Sequence, residues 1–503
     1  MAGVLLRKPR NVIPRWRLFN TTVALSELSS SGRPAKWSVG TRSLEALILQ
    51  WQSSPSIWVA ADALSAAFVL KRTDLVTDIA EYVLAGVGTA TEAVTHLARI
   101  VLFGKSPESP ELSTRDWKAT VRARRADLRE YPRDAVRWAD LALAHTVCGN
   151  RDHALRCLQI ALALAPSNRF ILRAGARGFL HWGDPERAHG VLRSSPKTPY
   201  DPWLLAAEMA VASARDRRSK FTAHAKRLLT SGSIAGRHLS ELATAFGKLE
   251  FDHGSNKAAV RLFRQALADP TENTVAQIEW ELNEHTNFPI AGVTKEFQNV
   301  PFLFEARAAD RFSAGDWPAT VQNAALWVSD QPFSSRAASL ASYTASLVGD
   351  YNNAIDYLIN VLDSNPKDVG LLNNLTYFRV LAGRLDEALE TFNTLRQLSA
   401  KGEDILIVRA TTGLLEFRHN RPDVGRELYL QSIREGKHQR NYDLATVALA
   451  NLAREEFLAG NPEEASSLLS QAKALSASGR DKHALAAEIE LAERVILEKR
   501  VLA

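Results

Sequence analysis

Six side chains that could hold a soft metal crowd one part of the chain: His145, Cys148, His153, Cys157, His181 and His189 fall within 45 residues. Imidazole and thiolate are zinc ligands, so a tetrahedral site is the chemistry to test first. The spacing argues against it. Eight residues separate Cys148 from Cys157, across a turn and outside any Cys-x-x-Cys knuckle. His145 and Ala154 fall at positions where helices pack, so the cluster reads as packing and surface histidines, and no metal ligand is assigned. Catalytic patterns are equally thin. No glycine loop ends in Gly-Lys-Ser/Thr, and neither Gly-x-Ser-x-Gly nor His-Glu-x-x-His occurs. "GVGTATEA" from Gly86 lacks the third spaced glycine and the preceding strand of a phosphate loop, so it reads as a turn between helices. His96 is the single histidine in residues 1–103. Acids and arginines such as Arg454, Glu455 and Glu456 sit at spacings suited to solvated pairing on a helix. No catalytic residue and no cofactor is expected, and the chain reads as a non-enzyme.

Composition narrows the class. The 503 residues exceed what one compact core usually supports, so the chain is multidomain or a solenoid. Hydrophobic residues make up 46% and charged residues 23%, ordinary globular values. Two cysteines provide no disulfide framework, which suits a reducing, cytoplasmic setting. The start, "MAGVLLRKPR", has the reverse order of a secretory signal, and "IWVAADALSAAFVL" is too short and carries Asp62, so no membrane span is expected. Residues 1–42 carry eight Lys or Arg against Glu27 alone, more than the net +6 of the whole chain, so the remainder is slightly acidic. A nucleic-acid-binding superhelix would spread its positive charge along its length.

Those scattered residues are positioned by a repeat. Gly315, Gly349 and Gly383 recur every 34 residues, and Pro332 with Pro366, and Ala354 with Ala388, keep the same interval. Each unit reads as two amphipathic helices joined by a Gly-containing turn and closed by proline. Units start near Pro301, Ser335 and Val369, and less regularly near Leu406 and Thr446. Upstream, the unit from Ala135 offers Trp138, Leu141, Ala142 and His145, then Ala154, Leu158, Ala161 and Pro166. This pattern resembles the tetratricopeptide repeat, with Ala142 for the family's glycine and His145 and Leu158 for its aromatics. The expected fold is therefore all-α, an α-solenoid of stacked antiparallel helix pairs. The expected organisation is a basic arm (1–42), an N-terminal helical region (43–103), a Pro/Ser-rich linker (104–114), an upstream repeat block (115–284), an irregular connection (285–300), a regular block (301–480) and a C-terminal capping helix (481–503).

The resemblance implies an adaptor, scaffold or regulatory subunit, holding an extended segment or helix of a partner protein in a concave groove lined by first helices. Carried onto this chain, the lining positions are Arg336, Ser339 and Tyr343, then Asn373, Asn374 and Tyr377, then Asn451 and Arg454. Asparagine can pair with a peptide backbone, and tyrosine offers apolar area with a polar tip. The carboxylate clamp of some members finds no matching lysines here. The alternative is RNA or DNA contact through the basic N-terminal region, where Arg7, Lys8, Arg10, Arg15 and Arg17 flank Trp16. An arginine-rich helix over 115–133 adds to it. Oligomeric state is left open.

Overall fold

The computed structural model describes residues 14–16, 41–69, 72–86, 92–103, 116–232, 234, 236–284, 290, 293–298, 300, 302–398, 400–402 and 404–502. Among them every regular element is helical. They fall into two compact units, one within Pro9–Ala306 and one within Arg307–Ala503. No helix among the described residues is long and apolar enough to cross a membrane.

In the first unit, α1 (Thr41–Ser53), α2 (Ile57–Val69), α3 (Thr77–Ala85) and α4 (Glu92–Phe103) share a small core of their own. After α5 (Trp117–Glu130) come the pairs α6 (Ala135–Val147) with α7 (Arg151–Leu164), α8 (Arg169–His181) with α9 (Pro185–Ser194), α10 (Pro202–Ala214) with α11 (Thr222–Thr230), and α12 (Gly236–Asp252) with α13 (Asn256–Ala266). Then follow α14 (Glu272–Glu284) and α15 (Val293–Glu296). The stretch read as an irregular connection thus contains a one-turn helix. Val293 is buried with Val275 and Phe263, and the Thr294 hydroxyl donates to Glu279 at 2.6 Å. The division between units falls inside α16 (Phe304–Ser313).

The second unit continues with α17 (Trp317–Asp330) and four pairs: α18 (Ser335–Leu347) with α19 (Tyr351–Leu362), α20 (Val369–Leu381) with α21 (Leu385–Arg396), α22 (Asp404–Arg418) with α23 (Pro422–His438), and α24 (Tyr442–Leu458) with α25 (Pro462–Ser476). It ends in α26 (Lys482–Leu502). The pairs are tetratricopeptide-like helix–turn–helix units, and local chemistry sets their boundaries. Gly349 adopts φ 82°, a left-handed conformation that costs other residues a Cβ clash. The Gly349 and Asp350 amides then bond back to the Ser346 and Ala345 carbonyls, closing α18. Asp350 goes on to cap α19 by accepting the Asn353 amide at 3.1 Å, and Asp368 caps α20 through the Gly370 and Leu371 amides.

Burial separates the two helices of each pair. In α19 only Ala354, Ile355, Leu358 and Val361 are buried, one stripe of an amphipathic helix. In α18 every residue from Ala337 to Leu347 is buried, and in α24 every residue from Leu444 to Glu456. First helices touch one another, α18 to α20, α20 to α22 and α22 to α24, forming an inner row. A helix buried all round must be covered on its remaining side, and α26 is the cover. The Arg480 amide donates to Asp443 at 2.7 Å where the chain turns, after which α26 packs on α24, α25 and α18. Its Ala484, Leu485, Ala487, Ile489 and Ala492 join the same core as Tyr343 and Tyr377.

Candidate binding surfaces

In the second unit the groove positions expected from sequence lie on the inner row, and all but Arg336 are buried, with α26 packed over α18 and α24. Arg336 is half-buried, its guanidinium 5.3 Å over the Trp327 ring. Ser339, Tyr343, Asn373, Asn374, Tyr377, Asn451 and Arg454 are all buried. The Tyr377 hydroxyl donates to Asn451 Oδ1 at 2.9 Å, joining α20 to α24. Arg454 Nε and Arg418 Nη2 both donate to Glu455 Oε1, at 2.9 and 3.0 Å, while Arg426 clamps both oxygens of Glu456. Arg454, Glu455 and Glu456 are therefore a buried network, where the sequence suggested solvated pairs. The reason is long-range pairing: Arg418 of α22 and Arg426 of α23 reach Glu455 and Glu456 across 37 and 30 positions, which no local spacing encodes.

Sequence reasoning also missed Glu488. It lies in the buried stripe of α26, one turn from Ala484 and Leu485 and one turn before Ala492. A carboxylate at an apolar register position was the available signal. Burial raises the Glu488 carboxyl above its ordinary range, against the opposing pull of Tyr343 and Arg454. Burial, with Glu488 beside it, likewise holds the Tyr343 hydroxyl well above its usual value. The inner row thus binds a helix, with a buried carboxylate set among two tyrosines and an arginine.

The first unit holds a short non-helical segment instead. Residues 14–16 are Pro, Arg and Trp in non-helical conformation. Arg15 Nη2 pairs with Glu305 Oε2 at 2.8 Å, and its Nε donates to Asn273 Oδ1 at 2.7 Å; the side chains of Arg15 and Glu305 are 6% and 5% exposed. Glu305 is held in place by the Trp280 indole N–H at 3.0 Å, and Asn273 donates onward to Glu241, which also pairs with Arg173. Trp16 is fully buried against α8: a Cβ at Gly178 would sit 3.0 Å from its ring, and Trp182 meets it edge-on at 6.3 Å. A water-sized cleft of about 20 Å³ adjoins Pro14, bounded by Ala206, Ala210, Glu241 and Gln277 among others. Arg15 and Trp16 are thus engaged within the chain, not displayed for nucleic acid. Arg7, Lys8, Arg10 and Arg17 lie outside the described residues, as does the 104–114 linker.

The histidines and cysteines are distributed among separate environments. The His145 and His153 rings are 5.1 Å apart, and burial, with Arg125 nearby, brings His145 down to about 4. Burial pushes the Cys157 thiol up to about 11, away from the thiolate a metal needs. His189 bridges Glu208 at 2.9 Å and Arg215 at 2.6 Å. Among the described residues no group of three or more His, Cys, Asp or Glu is arranged to hold a metal ion.

No family model matches the chain. No curated protein matches it. Among solved structures, a human IFIT1 dimer with PPP-AAAA aligns with a TM-score of 0.38 and 17% identity, over 73% of this chain and 96% of that one. The crystal structure of yeast Tom70 aligns at 0.31 and 12% identity, over 91% and 96%. A human IFIT1 dimer with m7Gppp-AAAA aligns at 0.27 and 12%, over 90% and 99%.

Proposed function

We propose that the protein is a non-enzymatic scaffold or regulatory subunit, working in the cytoplasm, that holds a segment of a partner protein against its stacked helices. The observation that supports this most directly is that each unit already holds a segment of its own chain against its helices: a non-helical Pro-Arg-Trp in one and a helix in the other. These are two of the modes by which folded domains take up peptides, extended and helix-in-groove. Buried amides, carboxylates and aromatics supply orientation, and close packing supplies affinity.

Purification of tagged full-length protein from its own cells, with and without nuclease, tests this reading. The expected result is a stoichiometric protein partner that survives nuclease. Partners that all vanish with nuclease would overturn it in favour of RNA or DNA contact by residues 1–42.

A further inference from the structure

We infer that the inner face of the first unit is a recognition site for an extended peptide carrying an arginine followed directly by an aromatic residue, and that residues 14–16 are its resident, intramolecular occupant. The inference rests on the scaffold reading and names the class of segment this face takes. Three features carry it. Glu305 is a buried carboxylate already oriented by Trp280, with Arg15 completing its second oxygen. The seat that takes the Arg15 guanidinium at 2.8 Å can take the guanidinium of another chain in the same geometry. Asn273 adds a neutral acceptor at 2.7 Å, and it is itself held by Glu241, which fixes the direction from which the guanidinium enters. Beside this polar seat lies an aromatic one. The absence of a side chain at Gly178 opens a notch on α8 that the Trp16 ring fills, and Trp182 closes its edge.

Residues 14–16 belong to no helix or strand, and the Arg15 and Trp16 side chains make the contacts that hold them, in the manner of a bound peptide. The small cleft beside Pro14 is bounded by Asn273 and Glu241, the same side chains that seat and orient Arg15. Charge also decides between ligand classes. Glu241 is already paired with Arg173, which leaves Glu305 as the charge that meets the guanidinium; it would repel a phosphate backbone and attract an arginine-bearing peptide.

The test uses the full-length chain and a fluorescein-labelled synthetic peptide of residues 9–20, read by fluorescence anisotropy. The resident arm competes in the natural chain, so the Arg15→Ala/Trp16→Ala chain should bind the peptide about tenfold more tightly or better. A peptide with Glu at position 15 and Ala at position 16 should not bind. Adding Glu305→Gln to the vacated chain should weaken binding about tenfold or more. Should the double variant fail to fold, by circular dichroism, a protease site placed between Ser31 and Gly32 lets the arm be cut after folding. The native peptide should then exchange with the cut arm, and the altered peptide should not. Equal binding of native and altered peptides, binding of neither, or preferential binding of a single-stranded RNA oligomer overturns the inference. A nuclease-resistant partner found without peptide binding here sinks this inference and leaves the scaffold reading standing, so the two fail separately.

Discussion

Arg15 and Glu305 are the pair whose removal should be felt most. Glu305→Ala leaves a buried guanidinium without its carboxylate, and the expected loss of stability is about 3–5 kcal/mol by urea unfolding. Arg15→Ala with Glu305→Ala should cost clearly less than the sum of the two singles; simple additivity in that cycle would mean the charges do not interact. Acid should act through His238 and His145. Burial, aided by Arg169 and Arg237, lowers His238 to about 4, and its Nδ1 accepts the Trp203 indole N–H at 3.1 Å. His145 falls to about 4 for a similar reason, burial first and then Arg125, His153 and Arg156. Because these folded-state values lie below the ordinary 6.5, the unfolded chain takes up protons first as pH drops. Stability from these groups is complete above pH 6.5 and is lost progressively between 6.5 and 4, on the order of 3 kcal/mol for His238. Buried Glu281, raised to about 7, and Glu488 titrate with the opposite sign over this range, so the deciding measurement is the pH slope of stability between pH 7 and 5 in His238→Gln against the parent; an unaltered slope would refute this. At this scale the sequence revealed residue types and their helical register. It did not reveal that Tyr343, Asn373 and Arg454 are covered, because burial depends on what lies above a residue and not on its neighbours in the chain.

The helices were largely legible because their ends are made locally. The Gly349 turn and the Asp350 and Asp368 caps each involve residues within five positions of one another, so the spacing of Gly, Asp and Pro carries the signal. Asp368→Ala should lower stability by about 1 kcal/mol through loss of the cap to Gly370 and Leu371. Gly349→Ala should cost about 1–2 kcal/mol through the left-handed backbone alone, since no atom crowds its Cβ position. A differential scanning measurement in which both variants melt like the parent would show that these turns do not set the register. Where elements are joined over long distances, the sequence was silent. The seat of Trp16 on α8 unites residues more than 160 positions apart through a missing Cβ at Gly178, and an isolated glycine in a helix reads equally well as weak propensity.

Over the molecule as a whole, a C-terminal helix capping the last pair is expected from sequence, whereas the reach of α26 back to α18 has no local signal beyond an amphipathic pattern with Glu488 on its buried face. Leu485 is fully buried, and Leu485→Ala should cost about 2–5 kcal/mol while leaving the fold intact. A chain lacking residues 480–503 should lose native melting of the second unit and bind a hydrophobic dye, because Tyr343, Tyr377 and the Arg454 network would face water; an unchanged melt would show that the inner row tolerates exposure. Stacked helix pairs ordinarily communicate only with nearest neighbours, and such arrays can fray from either end. Here α26 touches α18 across seven intervening helices. That long-range tie raises contact order, which slows folding. It also couples the early pairs to the late ones, so the second unit should resist stepwise unzipping and cross its unfolding transition as a single cooperative body.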